Sequence, residues 1–511
     1  MISRNYFWGL EIFSLYVLLL WIWPISYLYA PSYIEYAHVE PQVVVGTQEW
    51  LHGFPLYTDL NSSAKYSCIY GPGTYLLTAV GLTIFDDLIV GSKFSSVILC
   101  LLTTIFFLWT VKKNLQWPEA LVALGLFSVQ TLVLHEFPFG IVANPCLTFM
   151  AILGLLSLSF SNWNMRIGLL SFATALAFSV KIHGPVYLLP AWSILLFEGG
   201  LRRTVWCAFI SIELSLLPFF IPGISLRAYL GWLTIASHHP LTYEMLIKTI
   251  AGELIFIWPM ALFPFTSFNS KIPDSQKIIY KLSMPLGIAL ILIILPASKA
   301  GAGVHHIWPF IPWISYVIAL WLQSLKSSNI SLVYIHLLRI FLFAWVVYLA
   351  VVGHRLGMVV TYYFAEKQKL ISLQEDVKNI LYQYPDHPIQ MGYGEDESYP
   401  LTYVRPLVYQ RSTPCLIDAS TAMDLNLAGI SLKPSFDAML VRRNDLWLIP
   451  KNEKPFAIAT LYDPSHRLFD KSLVDEFTQH YHRIKSSSFF DIYRYDYPET
   501  KKGDGHKNLS P

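Results

Sequence analysis

Across 511 residues, 54% are hydrophobic and only 14% charged, with a formal net charge of +2 and a mean hydropathy of +0.46. A soluble domain carries about 25% charged residues, so composition excludes a fully water-solvated surface, and without a basic stripe a nucleic-acid partner is excluded too. Repeated apolar runs of about 17–25 residues, the length that crosses a hydrocarbon core, point to a polytopic α-helical membrane protein.

The first predicted span covers residues 7–30. It follows a short basic start and lacks a small-residue cleavage site, so it reads as a retained helix and not a signal peptide. A long polar and aromatic segment, 31–87, comes next. An amphipathic helix is predicted to end at Trp50-Leu51-His52-Gly53, and residues 74–85 are too short to cross, which suits a helix lying at the interface. Asp86-Asp87 reads as an N-cap. Further spans are predicted at 88–110, 117–134, 141–160, 165–180, 185–197, 204–224, 250–268, 278–296, 307–322 and 330–354, about eleven in all. Many Trp and Tyr residues lie near the ends of these runs, as in interfacial belts.

Lys and Arg in short loops orient the chain. With a cytoplasmic N-terminus, Arg4, Lys112, Lys113, Arg166, Arg202, Arg203, Lys271, Lys277, Lys281 and Lys326 face inward. Lys65, Lys93, Lys181, Arg227, Lys248 and Lys299 face outward, the side on which the longer loops 31–87 and 225–248 also fall. An odd number of spans then places the C-terminal region outside. Residues 1–364 are read as the transmembrane domain, 365–497 as a small extracytoplasmic α+β domain, and 498–511 as a disordered tail. An amphipathic helix is expected over Lys367 to Asp386. Short strands are expected at 407–409, 415–417, 439–441, 446–449 and 456–461, then a helix over 470–481 with Asp470 as its cap. Of the five cysteines, Cys68 and Cys415 share the outer side, but no CxxC pair occurs, so metal and redox motifs have no support.

The outer segment orders its motifs in a recognisable way. Glu40 precedes Leu51-His52-Gly53-Phe54-Pro55-Leu56-Tyr57, and Tyr70-Gly71-Pro72-Gly73-Thr74-Tyr75-Leu76-Leu77 follows. Lys181 closes the span ending Ala177-Phe178-Ser179-Val180, and Ser298-Lys299-Ala300-Gly301-Ala302-Gly303-Val304-His305-His306 leads into a late span. This arrangement resembles the GT-C superfamily of membrane glycosyltransferases, with the protein O-mannosyltransferases and the bacterial aminoarabinose-to-lipid A transferase among its members. The similarity touches most of the chain; the region from Met391 to Asp491 looks like the outer domain of some bacterial members. There are two departures. Where many relatives carry an Arg-Pro-Asp or an acidic pair, this chain has Ala143-Asn144-Pro145. Where some have Glu-Lys before a double proline, it has Ile69-Tyr70.

The resemblance implies transfer of a sugar from a polyprenyl-phosphate donor to a lipid, glycan or protein acceptor, at the outer face of a bacterial cytoplasmic (inner) membrane. The acceptor hydroxyl must lose its proton as it attacks, and a carboxylate at the membrane–water boundary serves as base; Glu40 is the candidate. The leaving phosphate needs cations and hydrogen-bond donors more than an acid. Lys181, His183, Lys299, His305, His306, Arg227 and Tyr70 are the candidates. A single displacement with one carboxylate implies inversion. No cofactor or metal ligand set is indicated, and a divalent cation stays open. His238-His239 with Glu244 is a poor metal signal. Glu35 and Asp59 suit solvated or capping roles. Three other classes stay open, one of them a structural or receptor role supported only by the outer domain. A lipid-linked oligosaccharide ligase or polymerase would not depend on an acidic first loop. A transporter or flippase would need ionisable groups at membrane depth, for which His336 and Arg339 are the main candidates.

Overall fold

The computed structural model describes residues 9–24, 39–134, 142–262, 274–326, 332–353, 355–410 and 414–496. The expected feature at Glu35 lies outside them. The chain forms two compact units, Met1–Tyr57 with Ser67–Ile371, and Thr58–Tyr66 with Ser372–Pro511.

The first unit is helical. Its helices are α1 (Gly9–Pro24), α2 (Val39–Leu51), α3 (Pro72–Ile84), α4 (Leu88–Asn114), α5 (Trp117–Leu134), α6 (Ala143–Ser157), α7 (Trp163–Val180), α8 (Leu189–Ile194), α9 (Leu201–Leu216), α10 (Leu226–His238), α11 (Tyr243–Ile257), α12 (Asp274–Ala297), α13 (Ile311–Lys326), α14 (Leu332–Gly353) and the first part of α15 (Arg355–Gln383). Among the described residues, six helical stretches are long and apolar enough to cross a membrane: Leu88–Asn114, Leu201–Phe220, Tyr243–Leu262, Lys277–Ala297, Val304–Lys326 and Val333–Val352. Gly9–Leu19, Pro72–Ile84 and Ala143–Ser157 are shorter apolar helices. The chain is therefore a multi-pass membrane protein, with six such stretches where about eleven spans are expected. One reason is local. The expected span 185–197 is broken into a 3₁₀ turn (Gly184–Leu188), α8 and a π turn (Leu195–Gly199), in a stretch where Pro185 and Pro190 bring no N–H to a helical ladder. Conversely, the expected loop 225–248 contains α10, capped where Ser225 Oγ accepts from the Ala228 N–H at 3.3 Å.

Asp87 caps α4 as the sequence suggests, its carboxylate accepting from the N–H groups of Ile89 and Val90 at 2.9 and 3.0 Å. The stretch Val304–Lys326 is almost wholly enclosed by its neighbours, including α5, α6 and α12. Ion pairs tie helices together, among them Glu11 of α1 with Arg339 of α14, and Glu119 of α5 with Lys326 of α13 at 2.6 Å. Glu11 and Arg339 are both buried, so each would be costly without the other. The cation considered for a transport path is thereby a helix–helix contact.

The second unit is α+β. It contains β1 (Ile389–Met391), α16 (Arg405–Val408), α17 (Ala419–Leu427), α18 (Lys433–Val441), β2 (Leu446–Pro450), β3 (Ala459–Thr460), β4 (Asp463–Arg467), α19 (Lys471–His480), β5 (Tyr481–Ser486) and β6 (Phe490–Tyr495). One sheet has the order β1-β2-β6-β5, with β1 parallel to β2 and the other pairs antiparallel, and β3 pairs β4 in a second. The expected strands at 446–449 and 456–461 correspond to β2 and β3, the latter much shorter. Those at 407–409 and 439–441 are replaced by α16 and the end of α18. Short apolar runs do not distinguish a strand from a buried helix by periodicity, and Pro406 and Pro434 in the first turns suit helix starts. Residues 415–417 form no named strand, only a bridge from Ile417 to Lys65.

Candidate active site

The centre of the site is built at the end of α7. Lys181 leaves the helix in an extended conformation, its N–H still donating to the Ala177 carbonyl at 3.0 Å. Two glycines let other segments close on this end. Gly71 N–H donates to the Val180 carbonyl at 2.9 Å, and a Cβ on Gly71 would lie 2.2 Å from the Ser179 oxygen. A Cβ on Gly184 would lie 2.1 Å from the Ala177 oxygen. Only residues without a side chain fit at such approaches. The first contact delivers Tyr70, whose carbonyl also accepts from the Tyr57 hydroxyl at 2.7 Å. The second delivers His183. Gly71→Ala should therefore shift Tyr70 and cost about 1–3 kcal/mol of stability, read as a lower melting temperature of the detergent-purified protein; an unchanged melting temperature would contradict this packing.

Lys181 is buried, and its Nζ donates to Asn144 Oδ1 at 3.2 Å while lying 5.3 Å from the centre of the Tyr70 ring. No carboxylate pairs with it among the described residues. Burial lowers its pKa to about 8, since removal from water disfavours the charged form. His183 is pushed down to about 3, first by burial and then by the Lys181 charge, so its ring is neutral near pH 7. Its Nε2 is buried without a hydrogen-bond partner. The His183 ring lies 4.9 Å from that of His306, which lies 4.6 Å from that of His305. His306 Nδ1 and the Tyr187 hydroxyl are 3.4 Å apart, and Trp313 Nε1 donates to the Tyr187 carbonyl at 3.0 Å. The result is one ammonium with neighbouring imidazole and hydroxyl groups, an arrangement suited to an anion.

Glu40 lies in the first turn of α2 and is buried. Its Oε1 is 3.5 Å from Nζ of Lys93 on α4, which is also buried. α3 packs against both α2, which carries Glu40, and α7, at whose end Lys181 lies. Of the expected phosphate ligands, the structure brings together Lys181, His183, His305, His306 and Tyr70. It does not bring in Lys299, whose Nζ donates to the Ala236 carbonyl at 2.8 Å, or Arg227, which is exposed on α10. His238 and His239 turn to the carbonyls of Thr234 and Ala300, and Glu244 pairs with Lys248. Asp59 caps a turn through the Asn61 N–H. Among the described residues no three His, Cys, Asp or Glu side chains are arranged to take a metal ion, and all five cysteines are free thiols. Asn144, Tyr187 and Lys93 are absent from the sequence-based candidates. Tyr187 falls in an apparently apolar run, and Asn144 carries no charge to draw notice.

No family model matches the chain, and no curated protein matches it by sequence. Solved structures do. The aminoarabinose transferase ArnT from Cupriavidus metallidurans matches over 94% of this chain and 97% of its own, at 11% identity. The TM-score is 0.54 for its crystal structure bound to undecaprenyl phosphate and 0.56 for the apo state. The chain shares the fold of ArnT. The arabinosyltransferase EmbB from Mycobacterium smegmatis also matches, at 11% identity over 70% of this chain and 41% of that one, with a TM-score of 0.44. The likeness to ArnT spans both units and is a likeness of backbone, which leaves the chemistry to the side chains described above.

Proposed function

We propose that this protein is a glycosyltransferase that moves a sugar from a polyprenyl-phosphate donor to a lipid, glycan or protein acceptor at the outer face of a bacterial inner membrane. In this reading the N-terminus is cytoplasmic and the second unit periplasmic. The observation that carries it is Lys181, a buried ammonium whose side-chain partners are a neutral amide and an aromatic face. A buried charge calls for a counter-charge, and a phosphate monoester or diphosphate supplies one. The GT-C backbone, shared with a transferase solved with undecaprenyl phosphate, supports the same choice.

In the proposed reaction Lys181 takes the donor phosphate, with His183, His305, His306 and Tyr70 as surrounding polar groups. Glu40 accepts the proton of the acceptor hydroxyl. The acceptor oxygen bonds to the anomeric carbon as the bond from that carbon to the phosphate oxygen breaks, and the bonding pair departs with the phosphate. One displacement inverts the centre. The phosphate leaves as a stable anion, held by cation and hydrogen-bond donors rather than protonated.

Glycan and lipid profiles of cells with and without the chain test this. The expected result is a sugar-modified product present only with the protein. Profiles that do not differ would sink the proposal and favour a transport role.

A further inference from the structure

We infer that Asn144 is a positioning residue that holds Lys181 in place while leaving its charge available to a bound phosphate. The inference rests on the anion-site reading above and adds to it the reason for an amide at this position.

Among the described residues of the first unit, the buried cations are Lys93, Lys181 and Arg339. Lys93 faces Glu40 and Arg339 faces Glu11. Lys181 alone faces an amide oxygen. Asn144 sits in the first turn of α6, where its own carbonyl is taken by Thr148 Oγ1 at 3.0 Å, so the residue is anchored at its backbone and presents its side chain to Lys181. From the other segments, the groups facing Lys181 are the Tyr70 ring and, through their influence on one another's charge, His183 and His306. None of these is an anion near pH 7. An amide oxygen accepts one hydrogen bond from the ammonium without neutralising it. A carboxylate of the same shape would form a buried ion pair and compete directly with the ligand.

Binding of undecaprenyl phosphate to the purified full chain in detergent, with undecaprenol as the uncharged control, tests this. Wild type should prefer the phosphate. Asn144→Asp should weaken phosphate binding about tenfold or more and leave undecaprenol binding unchanged. Asn144→Ala should fall between wild type and Lys181→Met, because the charge stays while its tether is lost. The pH profile adds a reading that mere packing would not move. Wild-type affinity should fall as pH rises through about 8, where Lys181 loses its proton, and Asn144→Asp should move that limb upward. If Asn144→Asp fails to fold, the position of Asn144→Ala still decides: a loss as complete as that of Lys181→Met overturns the inference. So does Asn144→Asp binding like wild type. If wild type does not distinguish the phosphate from undecaprenol, the anion-site reading itself fails and the inference falls with it.

Discussion

Glu40→Gln should lower turnover by about 10²–10⁴-fold, the usual contribution of a positioned general base, while donor binding stays within a few-fold of wild type. The swap keeps size but replaces the charged carboxylate with a neutral amide, which cannot take the proton. The geometry makes the effect local. Glu40 is enclosed in α2, ten of whose residues are buried, and Lys93 holds its carboxylate from α4. Loss of the carboxylate also leaves Lys93 without that partner, so melting temperature must be followed beside activity. Lys93→Met is the companion variant. It should reduce turnover less than Glu40→Gln, because it disturbs the base without removing it. Steady-state kinetics on matched amounts of protein separate the cases. Turnover within tenfold of wild type in Glu40→Gln would remove this residue as the base and favour the ligase reading.

Lys181→Met should act on the other half of the reaction, weakening kcat/KM for the donor by about 10²-fold or more, as expected when a charge-assisted contact to a leaving anion is lost. Methionine preserves much of the stem that packs beside Tyr70, so the fold should hold. The pH dependence carries the same information. The lysine is charged below its lowered pKa of about 8 and neutral above it. Donor affinity should therefore be retained at pH 7 and decline between pH 8 and 9, well below the range where an ordinary lysine would lose its proton. In Lys181→Met that decline should vanish. A donor KM unaffected by both the substitution and the pH rise would contradict the assigned role.

Much of the site was legible because its residue types are unusual for their surroundings. A lysine closing an apolar run, a histidine pair after a glycine-rich stretch and a carboxylate behind the first span all stand out. What could not be read were contacts made over long sequence separations. Gly71 meets Val180, and Tyr187 meets His306 across 119 residues. Nothing local marks either pairing. Asn144 carries no charge to mark it in the sequence, yet it offers Lys181 a neutral oxygen.

The fold shows the same division. Composition and hydropathy placed the chain in the membrane, and α4 with its Asp87 cap follows directly from sequence. α10 stands where the sequence suggests a loop, although Tyr229, Trp232 and Ile235 recur at helical spacing and are buried. In the second unit β5 was invisible because only Tyr481 of its six residues is buried, so no apolar alternation marks it. The expected strand at 439–441 went wrong for the opposite reason. Met439 is apolar and buried, yet it packs from a helix.

The most direct measurement of the central claim is donor cleavage by the purified full chain. A polyprenyl-phosphate carrying a labelled sugar would be incubated with wild type, Glu40→Gln and Lys181→Met in the presence of membrane lipid and glycan extracts. The expected result is acceptor-dependent release of free polyprenyl phosphate by wild type, near-complete loss in Glu40→Gln, and loss in Lys181→Met that higher donor concentration partly restores. Release that proceeds equally in wild type and Glu40→Gln, or a donor left intact by wild type when the acceptor-containing extracts are supplied, would contradict it.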